Sequence, residues 1–267
     1  MELYLRDDIG QLWQGQDAFA AARQIRGTTF RQLERRQTLA FTDARHRYFI
    51  KRHHGVSWKE IFKNLLQLRL PVTSARNEFD AIQRLQRLGI KVPSVAAYGR
   101  RGLLPSSLES FLVTDDVGEH TSLEQHCRHW AVHKPEFRHK QELLRRIADI
   151  ARTMHEAGVC HRDFYLCHLL LTDKGDSLTV IDLHRALVKP ALGRRWIVKD
   201  LASLYFSAME CGLTQRDLLR FIRQYRQEPL RRILRKEAWL WQLIASRAAR
   251  LYRRHPCHRH KSAWLAY

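Results

Sequence analysis

The tripeptide His161-Arg162-Asp163 follows a stretch that reads as a helix end, His155-Glu-Ala-Gly158, and precedes a short hairpin. In that setting a carboxylate can receive the proton of a hydroxyl, which makes Asp163 a candidate general base. His168 comes five residues later, and the strand-like Val180-Ile181 delivers Asp182 nineteen residues after Asp163, room for one loop and one hairpin. Upstream, Lys51 closes the apolar run Tyr48-Phe49-Ile50, and Glu78 lies on a later amphipathic stretch, able to pair with it. Phosphoryl transfer asks for such a set: a cation for the α/β-phosphates, ligands for Mg2+, and a carboxylate for the acceptor hydroxyl. Each piece alone is commonplace. Basic proteins make His-Arg-Asp by chance, Asp182 has a reading as a turn residue, and Glu78 as a solvated helix position. Their order on elements of the right type points to an ATP-dependent kinase.

The elements that must hold these residues differ between the two halves. In the first, Thr38–Thr42, Arg47–Lys51 and Ser110–Thr114 are short and rich in β-branched or aromatic residues, and Asp43-Ala-Arg-His46 suits a hairpin turn. A helical stripe over 57–68 (Trp58, Ile61, Phe62, Leu65, Leu66) stops at Pro71, and a second runs over 75–88 (Phe79, Ile82, Leu85, Leu88) to a Gly89 cap. The second half is mostly helical: Leu143–His155, Asp200–Met209, Leu218–Tyr225, and a long basic helix over 229–254. Strand-like Leu169–Thr172 and Leu178–Asp182 interrupt it, joined by the turn Lys174-Gly-Asp176. A β-rich half before a helical half predicts an α+β, bilobal protein-kinase-like fold. The expected N-lobe is 1–116 and the C-lobe 117–267, with a cleft near 115–118.

Charge is the strongest compositional signal. Forty-seven Lys/Arg against 27 Asp/Glu give +20, with a pI near 10.4. Such a field attracts polyanions: nucleic acid, an anionic membrane face or a phosphorylated substrate. The excess is steepest over 211–267, with 14 basic residues and three acids. Five scattered cysteines, an odd number, fit reduced thiols better than a disulfide framework. Cys160-His161 and Cys167-His168 lack the second matching pair that a zinc site needs. No apolar run reaches the ~18 residues of a membrane span. The start, Met1-Glu-Leu-Tyr-Leu-Arg-Asp-Asp8, lacks the basic and apolar regions of a signal peptide, so a cytoplasmic location is expected.

Longer motifs carry a family resemblance. His161-Arg-Asp-Phe-Tyr-Leu-Cys-His-Leu-Leu-Leu171, Val180-Ile-Asp-Leu-His-Arg-Ala186 and Arg194-Arg-Trp-Ile-Val-Lys-Asp-Leu-Ala-Ser-Leu-Tyr-Phe-Ser207 closely resemble the lipopolysaccharide core heptose(I) kinases. So do Thr38-Leu39, Lys63-Asn-Leu-Leu66, Leu70-Pro-Val72 and Gly212-Leu-Thr-Gln-Arg-Asp217, and the resemblance runs from about Leu12 to Glu237. It implies transfer of the ATP γ-phosphate to a hydroxyl of the first inner-core heptose. Asp163 is then the base, Asp182 and His168 the Mg2+ ligands, Lys51 the phosphate anchor and Glu78 its partner. Asp200 braces the catalytic loop from below, with His161 and Arg162 in structural support. Position 164 is Phe and 166 is Leu, departures that leave this chemistry untouched. The nucleotide loop, Gly27-Thr-Thr-Phe-Arg31, has a single glycine, a poorer backbone cradle for which Arg31 compensates. His168 offers nitrogen where magnesium prefers oxygen, leaving open a second role as hydrogen-bond donor to a phosphate.

The implied acceptor is lipopolysaccharide inner core, heptosylated Kdo-lipid A, at the anionic inner face of the inner membrane. A basic protein would sit there peripherally, more weakly as salt rises. Trp239, Trp241 and Leu251-Tyr252 are candidates for shallow contact. The two tryptophans point to different helix faces, and their packing on the C-lobe is the stronger reading. The resemblance also allows acyl carrier protein as a partner. The rivals are a kinase for Kdo or another core sugar, a protein kinase, and a nucleic-acid-binding module. The short segment between Asp182 and Asp200 lacks the Ala-Pro-Glu element of protein kinases. No nucleic-acid motif is present, so no nucleic-acid partner is expected.

Overall fold

The computed structural model describes residues 1–33, 36–43, 46–54, 74–102, 107–172 and 175–254, with Arg31, Leu33 and His54 described by backbone alone. The helix read over 57–68, Pro71, the Lys174 turn position and Cys257 lie outside the described residues. The chain divides into two compact units. One comprises Met1–Gln83, Val92–Gly118 and Leu183–Arg185; the other comprises Arg84–Lys91, Glu119–Asp182 and Ala186–Tyr267.

In the first unit β1 (Glu2–Leu5), α1 (Asp7–Leu12) and α2 (Ala18–Gln24) precede β2 (Thr28–Leu33), β3 (Arg36–Asp43) and β4 (His46–His54). Then come α3 (Arg76–Arg87), whose residues from Arg84 on are counted with the second unit, β5 (Val95–Arg101) and β6 (Glu109–Asp115). The strands form one antiparallel sheet in the order β1-β5-β6-β4-β3-β2. Ile9, Phe19, Phe41, Tyr48, Ile50 and Phe111 fill the core on which α1 and α2 pack. Arg6 forks onto Asp115 at 2.8 and 2.7 Å, fastening the β1–α1 junction to the end of β6.

The stretch Gly27–Arg31, read as a nucleotide loop, is corrected here. Residues 28–33 form strand β2, paired with β3 from Thr28↔Ala40 to Leu33↔Arg36. A side chain at Gly27 would collide with the Ala40 carbonyl, so this glycine serves close strand approach, not a phosphate cradle. The turn between β2 and β3 lies outside the described residues.

The second unit holds β7 (Thr121–Ser122), α4 (Leu123–Cys127), α5 (Phe137–Glu156), β8 (Val159–Cys160), β9 (Leu169–Thr172), β10 (Ser177–Val180) and β11 (Leu187–Val188). It ends with α6 (Arg194–Ala208), α7 (Gln215–Arg226) and α8 (Leu230–Arg254). β9 and β10 pair as a hairpin, Leu169↔Val180 to Thr172↔Ser177, flanked by β7, and β8 pairs with β11. α7 starts at a reciprocal cap between Thr214 and Asp217, and the buried Asp217 also accepts Lys140 of α5 at 2.8 Å. Ile233, Leu240, Ile244 and Ala248 form the buried stripe of α8. Leu143, Ile147, Leu204, Ile222 and Ile244 are among the walls of an apolar cavity of about 180 Å³. No helix among the described residues is long and apolar enough to cross a membrane.

α5 and α6 each begin six residues before the sequence reading placed them. Their first turns are basic and exposed or half-buried, Phe137-Arg-His-Lys140 and Arg194-Arg195, and carry no apolar stripe. Asp200 therefore sits in the middle of α6, not at its start.

Candidate active site

Lys51 lies near the end of β4, between Thr38 of β3 and Leu112 of β6. Its ammonium meets Glu78 Oε1 at 2.5 Å, and Glu78 is 4% exposed with Oε2 making no hydrogen bond. The pairing read from the sequence is present. With the carboxylate buried and the ammonium held against it, the two side chains fix each other.

In the second unit the tripeptide, His168, Asp182 and Asp200 form one network. Asp200 is fully buried in α6. Its Oδ2 accepts the His161 backbone N–H and its Oδ1 the Arg162 backbone N–H, both at 2.7 Å. His155 Nε2 stands 3.4 Å from Oδ2, while His155 Nδ1 and the Tyr225 hydroxyl are 2.8 Å apart. Burial pushes the Asp200 carboxyl up, but the hydrogen bond and charge of His155 outweigh it, leaving the group below its ordinary value. Two charge-assisted bonds to consecutive amides hold the backbone where Arg162 adopts φ +73°, a left-handed conformation costing ~1–2 kcal/mol for a residue with a Cβ.

From this anchor the loop reaches Asp182. The fully buried His161 ring has Nε2 2.9 Å from the Ile181 carbonyl, an acceptor, so Nε2 carries the proton. Burial lowers its pKa and keeps the ring neutral. The bond fixes the residue before Asp182, which is itself left-handed at φ +59°. Ile181 N–H donates to the His168 carbonyl at 3.0 Å. His168 Nδ1 donates to the Asp163 carbonyl at 2.7 Å, and that carbonyl also accepts Tyr165 N–H at 3.0 Å. Nδ1 therefore carries a proton, and the other ring nitrogen, Nε2, faces Asp182 Oδ2 at 3.6 Å. The His161 and His168 rings stack at 5.6 Å and 5°. Phe164 is fully buried and roots the loop beside Asp163.

A bare imidazole nitrogen opposite a carboxylate oxygen is a donor pair that suits a cation. Among the described residues no group of three or more His, Cys, Asp or Glu could hold a metal. His168 and Asp182 could supply two ligands, with phosphate oxygens and water completing the shell of a nucleotide-bound Mg2+. The residues present fit that ion.

The structure brings together His161, Arg162, Asp163, His168, Asp182 and Asp200 in one unit and Lys51 with Glu78 in the other. The Arg31 side chain lies outside the described residues, and Gly27 directly precedes β2. Sequence reading missed His155 and Tyr225, the buried partners behind Asp200. Their one signal was a histidine on the apolar stripe of α5.

Strand-borne Lys51 with helical Glu78, and a His-Arg-Asp loop joined through a hairpin to Asp182, define a kinase of the protein-kinase-like fold. The chain belongs to the lipopolysaccharide kinase (Kdo/WaaP) family, whose model matches residues 20–225. It is 44% identical over 256 residues to the lipopolysaccharide core heptose(I) kinase WaaP of Escherichia coli strain K12, covering 94% of this chain and 97% of that one. Identity is 45% over 260 residues to the protein of the same name from Pseudomonas aeruginosa PAO1, covering 95% and 97%. The 3-deoxy-D-manno-octulosonic acid kinase of Haemophilus influenzae strain PittEE is 24% identical over 198 residues, covering 73% and 76%. A solved structure described as WaaP in complex with acyl carrier protein superposes with a TM-score of 0.83 at 41% identity, covering 94% of this chain and 100% of that one. A kinase family implies ATP as the phosphate donor.

Proposed function

We propose that this kinase transfers the γ-phosphate of ATP to a hydroxyl of the first heptose of the lipopolysaccharide inner core. The observation that carries the chemistry is the tie between base and metal positions: the Asp163 carbonyl sets the His168 tautomer, and His168 Nε2 faces Asp182. The heptose acceptor is supported by the 43–45% identity to proteins named heptose(I) kinases over nearly their whole length.

In this reading Asp163 accepts the hydroxyl proton and orients the oxygen for in-line attack. Lys51, held by Glu78, binds the α/β-phosphates. Asp182 and His168 would hold Mg2+, which when bound would neutralise phosphate charge. Asp200, His161 and Arg162 keep the loop in its left-handed turn. Arg31, carried on β2, is assigned a role at the phosphates. The two units serve as nucleotide and acceptor lobes.

The acceptor is lipid-anchored, so the protein works peripherally at the inner face of the inner membrane. Acyl carrier protein is a second proposed partner, on the +20 charge and the family complex. An acyl chain is the ligand the apolar cavity of the second unit suits, since Lys140 is the one charged residue in its lining among the described residues.

Three acceptors separate the readings. Incubated with Mg-ATP, the protein should phosphorylate heptosylated Kdo-lipid A and leave Kdo-lipid A and a generic peptide substrate unmodified. Phosphate on Kdo-lipid A instead would transfer the assignment to a Kdo kinase. Lys51→Met should lower kcat/KM for ATP about 10–150-fold, the worth of a charged hydrogen bond of ~1.5–3 kcal/mol. Steady-state kinetics with varied ATP checks this. His168→Ala should raise the Mg2+ concentration for half-maximal rate at least about tenfold, and His168→Asn should recover part of the loss. An unchanged Mg2+ titration for both variants would remove His168 from the metal site.

A further inference from the structure

The outer face of α8 carries cations at both ends and apolar side chains between them. Four exposed cations, Arg231, Arg232, Arg235 and Lys236, occupy its first turns, and four more, Arg247, Arg250, Arg253 and Arg254, its last. Between them stand Trp239 and Leu243, 49% and 48% exposed. At a spacing of four they share one face, opposite the buried stripe of Ile233, Leu240, Ile244 and Ala248. The sequence reading placed Trp239 and Trp241 on different helix faces. Trp241 packs edge-on against Tyr225 at 5.8 Å, so it is no part of this face.

The acids nearby are engaged. Glu237, the one acid in α8, meets Arg226 at 2.7 Å, and Glu228 before the helix meets Arg232 at 3.1 Å. Tyr252 is tied down by its hydroxyl to Glu210 at 2.8 Å. Beside Trp239 a recess of about 220 Å³ is lined by Arg194, Arg226, Lys236 and Glu237. The Arg194 guanidinium lies 5.5 Å from the Trp239 ring centroid.

We infer that the outer face of α8 docks on an anionic lipid bilayer, with Trp239 and Leu243 entering the headgroup region and the flanking cations meeting lipid phosphates. The inference rests on the reading of the acceptor as a lipid-anchored sugar and names the surface that reaches it. Charge complementarity favours this occupant. A helix with cations at both ends and an interfacial Trp/Leu pair at its centre suits a planar negative surface, where cations each gain ~1 kcal/mol and the apolar pair adds its burial. An acidic protein would need acceptors in register along all 25 residues; a fluid headgroup layer does not. The recess beside Trp239 has the cations, Arg194 and Lys236, to take one headgroup phosphate.

The test is sedimentation of the full chain with vesicles of phosphatidylethanolamine, with and without phosphatidylglycerol, in the absence of ATP and sugar acceptor. The binding result therefore stands apart from the kinase reading. Wild type should partition onto the anionic vesicles alone, more weakly at high salt. Arg235→Gln with Lys236→Gln and Arg250→Gln should lose about a hundredfold in partition coefficient, roughly fivefold per cation. Trp239→Ser with Leu243→Ser should lose about tenfold while keeping the salt dependence. All these side chains are exposed, and both variants should still phosphorylate a lipid-free heptosylated oligosaccharide. Equal binding to neutral and anionic vesicles would overturn the inference, as would wild-type vesicle binding by both variants. Loss of acyl carrier protein binding with vesicle binding intact would overturn it too, and assign the face to a protein.

Discussion

Asp163→Asn is expected to cut kcat for transfer to the heptosylated acceptor by about 10²–10⁴-fold, the range a positioned general base contributes. Asn keeps the shape and still orients a hydroxyl, but it cannot take the proton. The backbone of residue 163 does separate work: its carbonyl accepts from His168 Nδ1 and from Tyr165 N–H. Those bonds survive the substitution, so the Mg2+ requirement and the KM for ATP should stay near wild type. Parallel titrations of ATP and Mg2+ on both proteins make the distinction. A drop in kcat accompanied by an equal rise in the Mg2+ requirement would mean that Asp163 acts at the metal.

The largest effect on stability should come from Asp200→Asn. The buried carboxylate accepts two backbone N–H groups at 2.7 Å, one on each oxygen, with His155 alongside. An amide has one acceptor oxygen, so its NH2 would point at one of those N–H donors and leave it unsatisfied without water. The expected cost is about 3 kcal/mol, a fall of roughly 6–12 °C in Tm at the size of this chain. The loss is positional as well. With one amide released, the left-handed turn at Arg162 relaxes, Asp163 moves with it, and kcat falls even well below Tm. A purely structural role would lower Tm and spare kcat at low temperature.

The same group sets a pH dependence. Its pKa in the folded chain lies below the ordinary 3.8, so its contribution is complete above that value and is lost as pH falls through the folded pKa. Wild type should lose stability steeply in that acid range. Asp200→Asn should start lower and lack this part of the slope, as melting curves against pH would record.

How much of this was legible in the sequence depends on what each residue does. Lys51, Asp163 and Asp182 stand at the ends of strand-like runs or in a loop after a helix, and local pattern placed them. Glu78 was nominated because it lies on an amphipathic stretch downstream of Lys51, able to pair with it; its burial was not legible there. Gly27–Arg31 misled because a lone glycine before two threonines reads equally as loop or strand, and only the approach of Ala40 decides between them. Strands β1 and β5 went unread. Tyr4 and Leu3 are half-exposed with no clean alternation, and Val95–Arg101 contains Ala, Ala and Gly, which carry little β preference.

The inner support of the site was the least legible. His155 and Tyr225 are seventy residues apart and meet through packing of α5 on α7. The two non-glycine left-handed residues, Arg162 and Asp182, carry no local mark of that conformation. They are held there by Asp200 and by the Ile181 carbonyl, contacts across tens of residues that spacing does not encode. The sequence could nominate His168 as a ligand. Only the bond from its Nδ1 to the Asp163 carbonyl shows that Nε2 is the nitrogen that faces Asp182.

The most direct test is mass spectrometry of core oligosaccharide from a bacterial strain lacking its own heptose(I) kinase, complemented with this protein or its Asp163→Asn variant. The account predicts a phosphate on the first heptose with the wild-type chain and none above background with Asp163→Asn. An unphosphorylated heptose with well-expressed wild type, or equal phosphorylation by the two, would contradict it.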